Sequence, residues 1–169
     1  MILVVCALQK EFVYEDYSIL YTGIGKLNAS YFLTKFLSEN KNITTVINYG
    51  TAGGLKSKKN YFLECGRFYN IGFKNPTTPE EQEFIITDST LNSICSVNEF
   101  CTNTEKLKKY NCVDMESYAL AYVCKQMNIP FKCYKYITDI VGEKQQYNNW
   151  EQNINNGTEL FKKKLSAYV

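Results

Sequence analysis

Residues 44–54 read TTVINYGTAGG, a β-branched run, Thr44–Tyr49, delivered directly into the glycines of Gly50–Gly54. A short apolar run rich in Val, Ile and Thr fits a strand covered by other structure, and the glycines behind it predict a turn out of that strand. Toward the N-terminus, residues 2–8 form another continuous apolar run, bounded by the polar QKE at 9–11, and Ser18–Thr22 makes a further strand ended by Gly23-Ile24-Gly25. Between them and Thr44, the residues Leu27, Tyr31, Phe32, Leu33, Phe36 and Leu37 recur at helical spacing. Strand, helix, strand, glycine loop is the grammar of an α/β unit with a largely parallel sheet.

The second half extends the same pattern. Phe68–Phe73, Phe84–Thr87 and Asn92–Ser96 read as short strands, with the proline-bearing FKNPTTPEEQE at 73–83 a loop between the first two. Asp114–Met127 carries an apolar stripe at Met115, Tyr118, Ala119, Tyr122 and Val123, with Asn128 and Pro130 closing the helix. Phe131–Thr138 reads as a strand with Asp139 at its C-terminal edge, and Trp150–Tyr168 as a final helix whose basic last turn suits its dipole. No repeat, low-complexity tract or linker interrupts the chain. The expectation is a single three-layer α/β domain over residues 1–169, with a mixed, largely parallel central sheet.

Composition narrows the chemistry. Of the 169 residues, 45% are hydrophobic and 21% charged, which fits a folded core rather than disorder. The net charge of +2 argues against nucleic acid as a partner. The first run is too short to span a membrane, so no membrane association is expected. There are 0 histidines, which removes Ser-His-Asp and Cys-His catalysis and histidine-based zinc sites. Acid–base work must fall to carboxylates, Lys, Tyr or Cys. The 7 cysteines form no CxxC pair, and several sit in apolar runs. They read as buried, reduced thiols of a cytoplasmic protein, with no metal and no cofactor implied.

In α/β sheets ligands gather outside the carboxyl ends of strands. Glu11, the segment Gly23-Ile24-Gly25-Lys26, the run Gly50–Gly54 and Asp139 all fall at such ends, and Glu116 opens the helix before the last strand. Taken singly, each has a structural reading: a solvated acid at Glu11, a tight turn at Gly50–Gly54, a first-turn acid at Glu116, a cap at Asp139. Neither glycine segment has the spacing of a dinucleotide or Walker loop.

Read together, MILVVCALQKEF, YTGIGKLNAS, VINYGTAGGL, VDMESYALAYVC and IPFKCYKYITDIVGE resemble, in that order, the purine nucleoside phosphorylase/nucleosidase superfamily. They look most like its 5′-methylthioadenosine/S-adenosylhomocysteine nucleosidase branch. Both ends carry the resemblance; Lys56 to Tyr110 carries little. The chain is shorter than typical members between Glu11 and Gly23 and after Leu55, and Gly66-Arg67-Phe68 stands where the family has Gly-Asp and an apolar strand. The resemblance implies a nucleoside phosphorylase-like fold and hydrolysis of a purine N-glycosidic bond, with a small-molecule purine nucleoside as substrate. It implies Asp139 as the acid protonating the leaving purine and Glu11 as the acid activating water. Glu116 would grip the ribose hydroxyls, with Met115 against the sugar and Thr51 beside the nucleophile. Phe100 would stack on the base, and the Cys101 backbone would lie at its edge.

It also implies a homodimer in which each subunit helps close the other's 5′ pocket. The aromatics Tyr61, Phe62, Tyr69 and Phe73 are candidates for that contact. A phosphate-dependent phosphorylase is the nearest alternative. Phosphate wants arginine, and the chain's one arginine is Arg67; Asn48 stands where a phosphorylase branch carries one, leaving Lys26 as a point charge. A non-catalytic nucleoside-binding relative is the alternative from another class.

Overall fold

A computed structural model describes residues 1–168. One 8-stranded sheet runs through the chain. The strands are β1 (Ile2–Cys6), β2 (Ser18–Tyr21), β3 (Thr45–Gly54), β4 (Phe62–Asn70), β5 (Phe84–Ile86), β6 (Asn92–Ser96), β7 (Cys112–Asp114) and β8 (Phe131–Ile140). The helices are α1 (Lys26–Glu39), α2 (Ser117–Gln126), α3 (Gln146–Asn153) and α4 (Thr158–Leu165). Among the described residues no helix is long and apolar enough to cross a membrane.

The sheet is mixed, with parallel pairing dominant: β1–β2, β1–β3, β3–β8, β4–β6 and β6–β7 are parallel, and β3–β7, β4–β5 and β4–β8 antiparallel. It is not simply open. β3, β8, β4, β6 and β7 close into a ring, with β1 and β2 as an extension on β3 and β5 on the edge of β4. β3 makes closure possible: residues 45–48 pair with β1, residues 46–54 with β8, and Gly53 and Gly54 with β7. An irregularity between Ala52 and Gly53 accompanies this change of partner.

Strand alternation sorts the core into layers. Leu3, Val5 and Val46 point to the face covered by Ala29, Leu33 and Leu37 of α1 and by the buried side of α2. Val4, Cys6, Ile47 and Tyr49 point to the other face, where Phe161 and Leu165 of α4 cover them. There the Tyr49 and Phe161 rings stack at 4.3 Å with 9° between planes. A third cluster, including Val97, Leu107, Tyr110 and Val113, packs against the long middle loop on the face of β6 and β7 opposite Ile94 and Cys112.

Several expectations need correction. Gly50–Gly54 is not a loop but the second half of β3, because β8 supplies its ladder from Gly50↔Lys135 to Gly54↔Ile140. Asp139 accordingly lies inside β8 rather than past its end. Residues 112–114 are a strand, so the helix begins at Ser117, not Asp114. β4 starts at Phe62, before the expected Phe68, and stops at Asn70. Phe62 and Tyr69 are absorbed into the subunit's own clusters, whereas Tyr61 and Phe73 are exposed. The seven cysteines are free, and all but Cys101 are buried.

The final helix is two helices. The break at 154–157 follows from packing: a methyl group on Gly157 would meet the Tyr49 hydroxyl at 2.3 Å and Tyr136 Cβ at 2.7 Å. Gly157→Ala should therefore cost about 1–3 kcal/mol through overpacking, read as a lowered midpoint in thermal unfolding. An unchanged midpoint would show that Tyr49 and Tyr136 yield to the added methyl group without cost.

Candidate active site

A cavity of about 360 Å³ opens where β1, β3, β7 and β8 present their ends and α3 lies across them. The seven residues to which the resemblance gave roles line it, namely Glu11, Thr51, Phe100, Cys101, Met115, Glu116 and Asp139, whereas of Gly23-Ile24-Gly25-Lys26 only Ile24 does.

Glu11 follows β1 on a turn whose residues Leu8 and Glu11 are joined by a backbone hydrogen bond. Its carboxylate is buried and fully engaged on one side: Oε1 accepts from Thr51 N and Thr51 Oγ1, both at 2.9 Å, while Oε2 accepts from Leu8 N at 3.0 Å. A Cβ on Gly50 would stand 3.3 Å from Glu11 Oε1 and 3.2 Å from Lys135 Nζ. The glycine leaves the space that these two charged groups fill. Gly53 does the same for the other carboxylate, its Cβ position lying 3.3 Å from Asp139 Oδ2. Glu11 and Asp139 are thus held against β3 at points three residues apart, about 10 Å along a strand.

Asp139 is buried, and burial raises its carboxyl above the ordinary aspartate range, opposed by hydrogen bonds from Thr138 and Gln146. Thr138 Oγ1 donates to Oδ1 at 2.6 Å and Gln146 Nε2 to Oδ2 at 3.0 Å. The same Gln146 amide donates to the Cys101 carbonyl at 2.7 Å, tying the loop that carries Phe100 to this corner. Phe100 sits edge-on to Trp150, with ring centroids 6.2 Å apart.

A third carboxyl lines the same cavity. Glu116, at the N-cap of α2, accepts from Gly25 N at 2.8 Å, where α1 begins. Burial, and then the charge of Asp114, push its carboxyl up to about 8. Met115 beside it completes this wall. Behind the wall, Lys135 Nζ lies 3.0 Å from Asp114 Oδ2, with both side chains almost wholly buried. Burial opposes the charge on Lys135, but the pull of Asp114, together with Glu116 and Glu11, outweighs it and holds the ammonium protonated.

Lys135, Gln146, Tyr147 and Trp150 were not singled out from sequence, yet they line or back the cavity. A signal existed for Lys135. In FKCYKYIT it shares the strand face of Phe131, Cys133 and Ile137, so period-two reading puts a lysine on a buried face. Gln146 and Trp150 carried no such signal, since they reach the cavity through the placement of α3.

The cations considered for phosphate are committed elsewhere. Lys26 Nζ donates to Asn70 Oδ1 and to the Ile71 carbonyl, and Arg67 Nε donates to the Leu91 carbonyl. Asn48 spends its amide on Val5 O.

Comparison with known proteins agrees with this architecture. Residues 93–169 match the family model described as the phosphorylase superfamily. A 5′-methylthioadenosine/S-adenosylhomocysteine nucleosidase of Buchnera aphidicola is 27% identical over 198 aligned positions, covering 94% of this chain and 80% of that protein. A putative nucleosidase of the same description from Borrelia burgdorferi, solved bound to adenine, superposes with a TM-score of 0.81 at 22% identity, covering 100% of both chains. The Helicobacter pylori nucleosidase in complex with butyl-thio-DADMe-Immucillin-A gives 0.78 at 17% identity, over 99% of this chain and 98% of that one. At these identities the solved structures establish the shared fold. With the family match over residues 93–169, the chain is similar to the phosphorylase superfamily in its second half and shares the fold of the nucleosidase structures throughout.

Proposed function

We propose that the chain, as a single domain over residues 1–169, hydrolyses the N-glycosidic bond of a purine nucleoside, of adenine type and 5′-modified. One observation carries this reading: two carboxylates in contrasting environments face one cavity, with a third also lining it and with the candidate phosphate-binding cations engaged elsewhere. The names of the relatives, methylthioadenosine/S-adenosylhomocysteine nucleosidases, support the substrate class.

In this reading Asp139 begins protonated and gives its proton to a nitrogen of the purine's five-membered ring. The electron pair of the C1′–N bond leaves with the base, and positive charge develops on the ribose. Glu116 holds the sugar hydroxyls, and Glu11 offers negative charge to that cation. Met115 packs on the sugar and Thr51 lies beside the nucleophile. Phe100 covers the base, and the Cys101 main chain marks its edge. A water that gives its proton to Glu11 adds its oxygen to C1′, and the products are free base and free sugar. Phosphate would have to enter beside Glu11, whose charge repels it. The cytoplasm, where seven thiols stay reduced, is the compartment we propose.

We propose a homodimer as the active form. Leu27, 88% exposed, and Tyr31, one turn on, continue along α1 from exposed Ile24, which itself lines the cavity. A second copy seated there would close the cavity. This patch takes the place of the aromatics at Phe62 and Tyr69, which the subunit buries itself. Sedimentation at micromolar concentration should give twice 19.6 kDa; a 19.6 kDa species with dilution-independent activity would refute the dimer.

Incubated with a panel of purine nucleosides, the protein should release free sugar equally with and without phosphate. Phosphate dependence would convert the assignment to a phosphorylase. Asp139→Asn should lower turnover by about 10²–10⁴-fold with the fold intact; near-normal turnover would remove Asp139 from the mechanism. The wild-type rate should fall as pH rises through the elevated Asp139 titration, because the acid form is the active one.

The Glu116 carboxyl, near 8 in the fold and near ~4.3 unfolded, binds its proton more tightly when folded. Its contribution to stability is complete below the unfolded value and lost as pH rises through 8. Thermal scans of the ligand-free protein should therefore show stability declining over that window, with a flatter profile in Glu116→Gln. An equally steep decline in the variant would assign the effect to other groups.

A further inference from the structure

Helix α3 presents two side chains one turn apart to the cavity. Gln146 donates to Asp139, and Trp150 Nε1 donates to Thr51 Oγ1 at 3.0 Å. An indole N–H can donate but not accept, and a threonine hydroxyl has one proton. With the indole pointing at Oγ1, the hydroxyl proton is left for Glu11 Oε1, 2.9 Å away. Oε1 then holds two hydrogen bonds, from Thr51 N–H and O–H, and is saturated. Oε2 holds one, from Leu8 N–H, and so keeps a lone pair free on a residue that lines the cavity.

From this chain of donors we infer that Trp150 is a positioning residue: its indole N–H fixes the direction of the Thr51 hydroxyl, and through it occupies Glu11 Oε1, leaving Oε2 as the oxygen that takes the water proton. The inference rests on the nucleosidase reading. Tyr147 at 5.5 Å and Phe100 at 6.2 Å, centroid to centroid, hold the ring in this pose. Hydrogen bonds to the charged form of a carboxylate favour that form. Without the indole, the hydroxyl is free to turn from Glu11. Glu11 also feels Lys135 of β8, Glu116 at the start of α2, Cys6 of β1 and Tyr49 of β3, none of which Trp150 touches through this link.

Trp150→Phe keeps an aromatic ring and removes the N–H. The pH profile of kcat/KM should shift its acid limb upward. Turnover should fall about three- to tenfold, with KM within about twofold of wild type. Thr51→Val should show the same shift, and the double variant should add nothing to it. A raised KM with an unmoved acid limb, or additive losses, would reduce Trp150 to a wall of the cavity.

A second measurement does not need turnover. Trp150 is the only tryptophan in the chain, so its emission reports this site alone. In the ligand-free protein that emission should change as Glu11 gains a proton on acidification, and the change should vanish in both Glu11→Gln and Thr51→Val. An emission titration that persists in those variants overturns the inference. A wild-type protein inactive on every nucleoside while the emission titration follows Glu11 would overturn the nucleosidase reading and leave the indole–hydroxyl–carboxylate link standing.

Discussion

The buried ion pair between Lys135 and Asp114 is what allows acidic side chains to gather around one cavity. Its N···O distance is 3.0 Å, and both side chains are nearly inaccessible. Asp114 is also held by Ser96 Oγ at 2.6 Å, Ser117 N at 2.9 Å and Ser117 Oγ at 3.0 Å. This one carboxylate therefore ties together β6, β7, the first turn of α2 and, through Lys135, β8. Buried pairs of this kind add little net stability, but removing one partner typically costs about 3–5 kcal/mol because the other charge is stranded. Here the stranded charge would be a carboxylate beside Glu116, a group already pushed up to about 8 by burial and by Asp114.

Around that cation, similar carboxyl groups acquire different chemistry from their surroundings, as when two acids of one site take opposite roles. Glu11 accepts two main-chain N–H groups and one hydroxyl, all donors that favour the charged form. Asp139 sits in a drier corner, where burial raises its carboxyl against two side-chain donors. Glu116 is anchored to the N–H of Gly25, so the start of α1 and the start of α2 position it jointly. Each role is set by a neighbour on another element, and none is intrinsic to the residue type.

The strand that makes these neighbours possible is β3. It leaves β1 after Asn48, stays with β8 to Gly54 and gains β7 at Gly53. Its glycines give up side-chain packing, and the vacated space receives the ends of Glu11, Lys135 and Asp139. Closing the ring through β8 and β4 brings the second half of the chain over the first, and α3 then lies across the opening with Gln146 and Trp150 turned inward.

The amino-acid sequence by itself determined the α/β class, the layers and most elements, because hydrophobic period and β-branched runs are local properties. Asn92–Ser96 was read with its observed bounds, and the buried first strand was placed correctly at its start. Absence of histidine confined acid–base chemistry to other groups, and the motifs around Glu11, Glu116 and Asp139 pointed to the superfamily. Tertiary structure decided what depends on partners distant in sequence. Gly50–Gly54 became strand because β8 supplied hydrogen bonds that glycines do not advertise. Residues 112–114 became a strand between β3 and β6, too short to show a period. The last helix broke at Gly157 because Tyr49 and Tyr136 occupy the space a side chain would need. Lys135 left a trace as a lysine on a buried strand face, whereas Gln146 and Trp150 entered the site by packing alone, since hydrogen-bond partners tens of residues away leave no periodic trace in the chain.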